Sequence, residues 1–264
     1  MIIDNRLIYL KPEIAGMGTN RRGRQNLLEL ALVFAGFYLP GLLWPAASPA
    51  GEPRELALYM ARFLAAAAPQ VLLLGYLIWL RGPSSPGTSV WAEFGIPRPR
   101  ASDLAWALAL LFGAYLLLAA AGLLLALLPE QARRGLAGGF RWRLPDARLL
   151  PLAAAFSLLT GYREELFFRA YLLTRLGQAG LSPVAGVAAS ALLFACGHAY
   201  QGPAGLAVAL ALGVYFAVAF VRLRNLHRVA WAHGLYNLAV LAATLLGDQL
   251  PLPGATLSAI FSAR

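Results

Sequence analysis

The run DLAWALALLFGAYLLLAAAGLLLALL, residues 103–128, decides the class of fold. Its 26 residues carry one charged residue, Asp103, at the very start. A helix needs roughly 20 consecutive apolar residues to cross the hydrocarbon core of a bilayer, and this run exceeds that length. Working outward, comparable runs occupy 26–45, 56–80, 149–176, 183–199, 204–222 and 229–247. In lipid, such segments can satisfy their backbone groups only as helices. The expected fold is therefore all-α: a polytopic transmembrane helical bundle of about seven spans, with room for an eighth.

Composition agrees with this reading. Apolar residues make up 59% of the chain and charged residues 13%, against about 25% charged in soluble domains. The net charge of +10 does not indicate a nucleic-acid partner, because the Lys and Arg residues lie mainly between the apolar runs. There they set topology and meet lipid headgroups. Lys11 is the only lysine, an Arg bias that fits a GC-rich bacterial genome and hence a bacterial inner membrane. A single cysteine, Cys196, excludes an intrachain disulfide framework.

The chain divides into an N-terminal arm (1–25), N-terminal transmembrane helices (26–148), a C-terminal membrane core (149–247) and a short tail (248–264). With the arm in the cytoplasm, inner linkers hold 12 Lys/Arg and outer linkers 7, which favours that orientation. The 130–148 linker, with five arginines, opposes it. Pro40 and Pro69 fall inside apolar runs and predict kinks.

Ionisable groups inside a bilayer are costly and tend to face a partner or a cavity. Glu29 and Arg62 lie where snorkelling accounts for them. The others concentrate in three places. In Thr160-Gly-Tyr-Arg-Glu-Glu-Leu-Phe-Phe-Arg169, Glu165 and Arg169 share a helix face in the order that favours pairing. Glu164 points about 100° away and is left free. In Phe194-Ala-Cys-Gly-His198, Cys196 and His198 point to opposite faces, so Cys196 reads as a packing residue. In His233-Gly-Leu-Tyr-Asn237 the i, i+4 spacing brings two hydrogen-bonding groups onto one face. Taken singly, each place has a structural reading: a salt-bridge cluster, or histidines that hydrogen-bond between helices. His227, among Arg222, Arg224 and Arg228, reads as exposed. Jointly, a carboxylate, an imidazole and a His/Asn pair on three apolar segments suit water-mediated amide hydrolysis, which needs a general base and oxyanion donors.

The three motifs, Glu164-Glu165-xxx-Arg169, Phe194-xxx-His198 and His233-xxx-Asn237, resemble those of the CPBP family of intramembrane glutamic endopeptidases. This is the CAAX prenyl protease type II, bacteriocin-processing and abortive-infection family. The resemblance covers about 150–247. It implies Glu164 as the base that activates water with His198, and His233 and Asn237 as the oxyanion hole. Glu165 and Arg169 would support the site, with Phe194 packed beside it. It also implies a peptide or protein substrate and no cofactor. Three N/O ligands plus water also make a catalytic zinc set, so a metal held by Glu164, His198 and His233 is the alternative chemistry. A catalytically inert immunity or scaffold protein is the non-enzyme alternative. His-Glu-x-x-His, Gly-x-Gly-Asp and Gly-x-Ser-Gly motifs are absent.

Overall fold

A computed structural model describes residues 18–43, 52–83, 86–127, 129–131 and 143–245. The arm up to residue 17, the tail from 248, and Arg133, Arg134 and Arg141 of the long linker lie outside the described residues. Among the described residues all regular structure is helical. In chain order the helices are α1 (Gly18–Phe37), α2 (Leu39–Leu43), α3 (Pro53–Arg81), α4 (Val90–Glu93) and α5 (Ser102–Ala126). They are followed by α6 (Leu150–Glu165), a π-helical segment (Leu166–Leu173), α7 (Thr174–Gln178), α8 (Pro183–Cys196), α9 (Gly202–Leu223) and α10 (Leu226–Ala243).

Local chemistry accounts for the boundaries. Helix α3 starts on Pro53, whose missing N–H costs nothing in a first turn, and stops at Gly82 with φ 64°, a conformation that glycine adopts freely. The side chains of Ser182 and Asn225 cap α8 and α10 by accepting from Ala185 N and Arg228 N, filling first-turn donors that otherwise lack partners. Asp146 accepts from the backbone and side chain of Arg148, both at 2.8 Å, just ahead of α6. Those bonds hold the Asp146 carboxyl below its usual range.

Helix α10 packs between α6 and α5, and α6 packs between α10 and α3. The α8–α9 pair closes over the π segment. Outward faces of α3 and α5 expose Leu72, Trp79, Phe112 and Leu123, the surface expected of helices solvated by lipid. Among the described residues, three helices are long and apolar enough to cross a membrane: Pro53–Arg81, Ser102–Ala126 and Ala199–Leu223. Pro183–Cys196 is apolar but shorter. The stretch Leu150–Gln178 is long, yet it carries the charged motif and turns those groups inward.

Several expectations change. The first apolar run is broken at Tyr38, between α1 and α2, because Pro40 has no N–H to continue the bonding of α1 and instead stands in the first turn of α2. Pro69 lies inside α3, within the apolar run as expected. Glu29 does not snorkel: it accepts from the Tyr171 hydroxyl and pairs with Arg81 and with Arg175, the latter at 3.3 Å. His227 is a strut rather than an exposed residue. Its Nδ1 lies 3.1 Å from the Tyr162 hydroxyl and its Nε2 2.8 Å from the Pro97 carbonyl oxygen. Cys196 is exposed rather than packed inside the bundle.

Candidate active site

Three consecutive charged residues at the end of α6 fan out in three directions, as the 100° step of a helix requires. Arg163 is buried and reaches α1 and α3. Its Nε donates to Gln70 Oε1 (2.5 Å) and its Nη2 to the Phe37 carbonyl oxygen (3.2 Å), one of the carbonyls left over where α1 ends. The guanidinium also lies 4.6 Å from the centre of the Tyr38 ring. Glu165 is fully buried and faces α10. Glu164, between them, lines a cavity of about 210 Å³.

The pairing of Glu165 with Arg169 is present, with Glu165 Oε2 and Arg169 Nε 3.1 Å apart and both side chains inaccessible to solvent. The Nε–H is not aimed well enough for a hydrogen bond, so the contact is an ion pair. Arg169 also donates to Gly213 O (3.4 Å) and stacks its guanidinium 4.6 Å from the Phe194 ring centre. Phe194 therefore sits between the buried cation and the cavity that it lines. The π segment begins directly after Glu165. Such a change of hydrogen-bond register is uncommon and recurs at functional sites.

The second carboxylate oxygen of the pair has a different partner. Glu165 Oε1 lies 2.8 Å from His233 Nδ1 on α10. A carboxylate beside a guanidinium can only accept, so Nδ1 carries a ring proton, and in the neutral ring Nε2 is then the nitrogen with the lone pair. That Nε2 is 3.7 Å from Glu164 Oε2, beyond hydrogen-bond reach, and Glu164 Oε2 is buried without a hydrogen-bond partner. The His233 ring is held on its faces by Phe216, stacked at 5.5 Å, and edge-on by Phe194 at 5.7 Å.

His198 lies just past the end of α8. Its Nδ1 is 2.9 Å from the Phe194 carbonyl oxygen, one of the acceptors that a helix end leaves unfilled. The carbonyl fixes the proton on Nδ1 and leaves Nε2 as the free acceptor of a side chain that lines the cavity. Asn237, one turn beyond His233, lines the same cavity. Glu164, His198, His233 and Asn237 thus meet at one cavity, brought there by α6, the α8 terminus and α10.

The approach of α6 to α10 depends on two glycines. A Cβ on Gly161 would come within 2.6 Å of Gly234 N and 2.8 Å of Ala230 O; a Cβ on Gly234 would come within 2.9 Å of Leu158 Cα. The backbones touch there, one turn from Glu164 and next to His233, as small residues allow between membrane helices. Tyr59, Phe63, Phe156 and Val208 line the apolar part of the cavity, with Tyr200 and Gln201 also on its wall. Sequence reasoning had not singled these out, because they come from helices whose apolar residues look alike. Among the described residues, no three His, Cys, Asp or Glu side chains are grouped so as to hold a metal ion.

Among the described residues, a buried acid–imidazole cluster thus stands beside a cavity on apolar helices. Residues 146–239 match the family model described as type II CAAX prenyl endopeptidase Rce1-like, so this segment is similar to that family, in agreement with the resemblance that its motifs carry. The match takes in Glu164, Glu165, Arg169, Phe194, His198, His233 and Asn237, and excludes α1–α5. No curated protein matches the chain, and no solved structure does.

Proposed function

We propose that the protein is an intramembrane endopeptidase of the glutamic type, which hydrolyses a peptide bond with water activated by Glu164 and His198. The observation that carries this reading is the meeting of Glu164, His198, His233 and Asn237 at one cavity, with Glu164 Oε2 left without a hydrogen-bond partner. A base must be within reach of water and free to take its proton. Glu164 is free in that sense, whereas Glu165 is committed to Arg169 and His233.

His198, its Nδ1–H occupied by the Phe194 carbonyl, offers Nε2 to orient the attacking water. Asn237 supplies an amide N–H₂ to the oxygen that becomes negative as the tetrahedral intermediate forms. His233 joins it as a donor once its Nε2 is protonated. Glu165 and Arg169 hold His233 in place and keep its tautomer. The apolar part of the cavity receives the flanking side chains of a peptide or protein substrate, which reaches the site from or alongside the bilayer. In the cell, the chain would cross a bacterial inner membrane about seven times, on α1, α3, α5, Leu150–Gln178, α8, α9 and α10, with its N-terminus in the cytoplasm.

The test is incubation of the detergent-purified protein with a peptide library, wild type beside Glu164→Gln. Cleavage by wild type alone is the expected result. Cleavage by neither, with a membrane partner still captured by both, would identify an inert scaffold. Activity lost to a chelator and restored by zinc would transfer the chemistry to a metal.

A further inference from the structure

We infer that His233 is the proton relay of the reaction, carrying the proton from Glu164 to the leaving nitrogen; this rests on the hydrolytic reading above. The inference starts from two acceptors that face each other. Glu165 Oε1 takes the Nδ1 proton of His233 at 2.8 Å, and Nε2, the lone-pair nitrogen when the ring is neutral, lies 3.7 Å from Glu164 Oε2. In the resting state neither atom can donate to the other, and the gap stays wider than a hydrogen bond. A proton arriving on Glu164 turns the facing pair into donor and acceptor. The ring cannot turn aside, because Phe216 and Phe194 pack against it and Glu165, itself paired with Arg169, anchors its other nitrogen.

The steps balance as follows. Water oxygen bonds to the scissile carbonyl carbon while one water proton passes to Glu164 Oε2, giving an oxyanion that accepts from Asn237. Glu164 passes that proton to His233 Nε2, and the resulting imidazolium, held by the Glu165 carboxylate, becomes a second donor to the oxyanion. It then delivers the proton to the amide nitrogen. The C–N bond breaks with its electron pair on nitrogen, and the carbonyl re-forms. The products are a carboxylic acid and an amine; Glu164 and His233 return to their starting forms. The sequence places Glu165 as a positioning residue that acts through His233.

A fixed oxyanion donor and a relay differ in what they owe to the leaving group. An amine cannot leave unprotonated, whereas p-nitrophenolate can. The experiment takes the peptide cleaved best in the library screen and the p-nitrophenyl ester of its acyl half, and compares wild type, His233→Gln and Asn237→Ala. In His233→Gln the side chain keeps an N–H donor and cannot shuttle a proton. Its ratio of amide to ester turnover should fall by about 10²-fold or more, the scale of general acid–base catalysis. Asn237→Ala should lower both rates together and leave the ratio near that of wild type.

An unchanged ratio in His233→Gln would overturn the relay while leaving the hydrolytic reading intact, and wild type that cleaves neither substrate would overturn both. If His233→Gln does not fold, wild type alone decides through a series of para-substituted anilides. A relay predicts rates that barely depend on anilide basicity, and a steep rise with electron-withdrawing substituents would refute it.

Discussion

Two carboxylates in this membrane protein, Glu29 and Glu164, are handled in opposite ways. Glu29 on α1 is saturated: one oxygen takes the Tyr171 hydroxyl and the other faces Arg81 and Arg175. Glu164 on α6 lines a cavity, with an oxygen that has no hydrogen-bond partner and a histidine just out of reach. Both engage the continuous stretch Leu150–Gln178, Glu29 through Tyr171 and Arg175. A charge kept for structure is surrounded by partners until nothing about it is reactive. A charge kept for chemistry must be left incomplete, and its incompleteness has to be held in place by neighbours that are themselves complete. Glu165 has that second role, fully buried between Arg169 and His233.

The comparison can be broken in four ways, ordered by the size of effect. Glu164→Gln should reduce cleavage by about 10²–10⁴-fold with a melting temperature close to wild type, since the side chain gives up a base but no bond. Arg169→Ala should do the reverse first. It strands the Glu165 charge in the interior at a cost of about 3–5 kcal/mol, read as a lower melting temperature, and activity falls with it. If paired melting and activity measurements gave Glu164→Gln and Arg169→Ala the same profile, the division between free and committed groups would be wrong. Asn237→Ala should lower turnover by about 10²–10³-fold and leave KM nearly unchanged, because its contribution grows only as negative charge develops. Glu29→Gln should cost about 1 kcal/mol or less, because its ion pairs with Arg81 and Arg175 are partly open to solvent. Turnover of the folded fraction should barely change, so a large loss there would link α1 to the chemistry.

Much of this was legible in the residue order. Apolar runs located the helices, because lipid leaves no other way to satisfy a backbone. The i, i+4 spacing of Glu165 and Arg169 foretold their ion pair, and the motif residues were named before their common cavity was seen. What stayed hidden depends on the third dimension. Nothing in Leu166-Phe-Phe-Arg-Ala-Tyr-Leu-Leu173 marks a π register, since the same residues make a good α-helix. The bond from Glu165 to His233 spans 68 positions, and no local pattern announces it. Glu29 and His227 were read by their neighbours in sequence, but their partners come from other helices. Cys196 points away from His198 and so reads as packing, but an apolar run alone does not distinguish a face toward protein from an exposed one.

The contact between Gly161 and Gly234 makes function vulnerable at positions with no functional groups. A single methyl on either would enter space already held by backbone atoms of the facing helix, prising α6 from α10 and moving Glu164 away from His233. Every reactive side chain would still be present. A descendant of this protein could therefore become a non-catalytic binder by one glycine-to-alanine change while retaining an intact set of signature residues. Inspection of those residues would then declare it active. That loss of function would be recorded only as one hydrogen atom replaced by a methyl group, and the marker of a working member would be the pair of glycines beside the motifs.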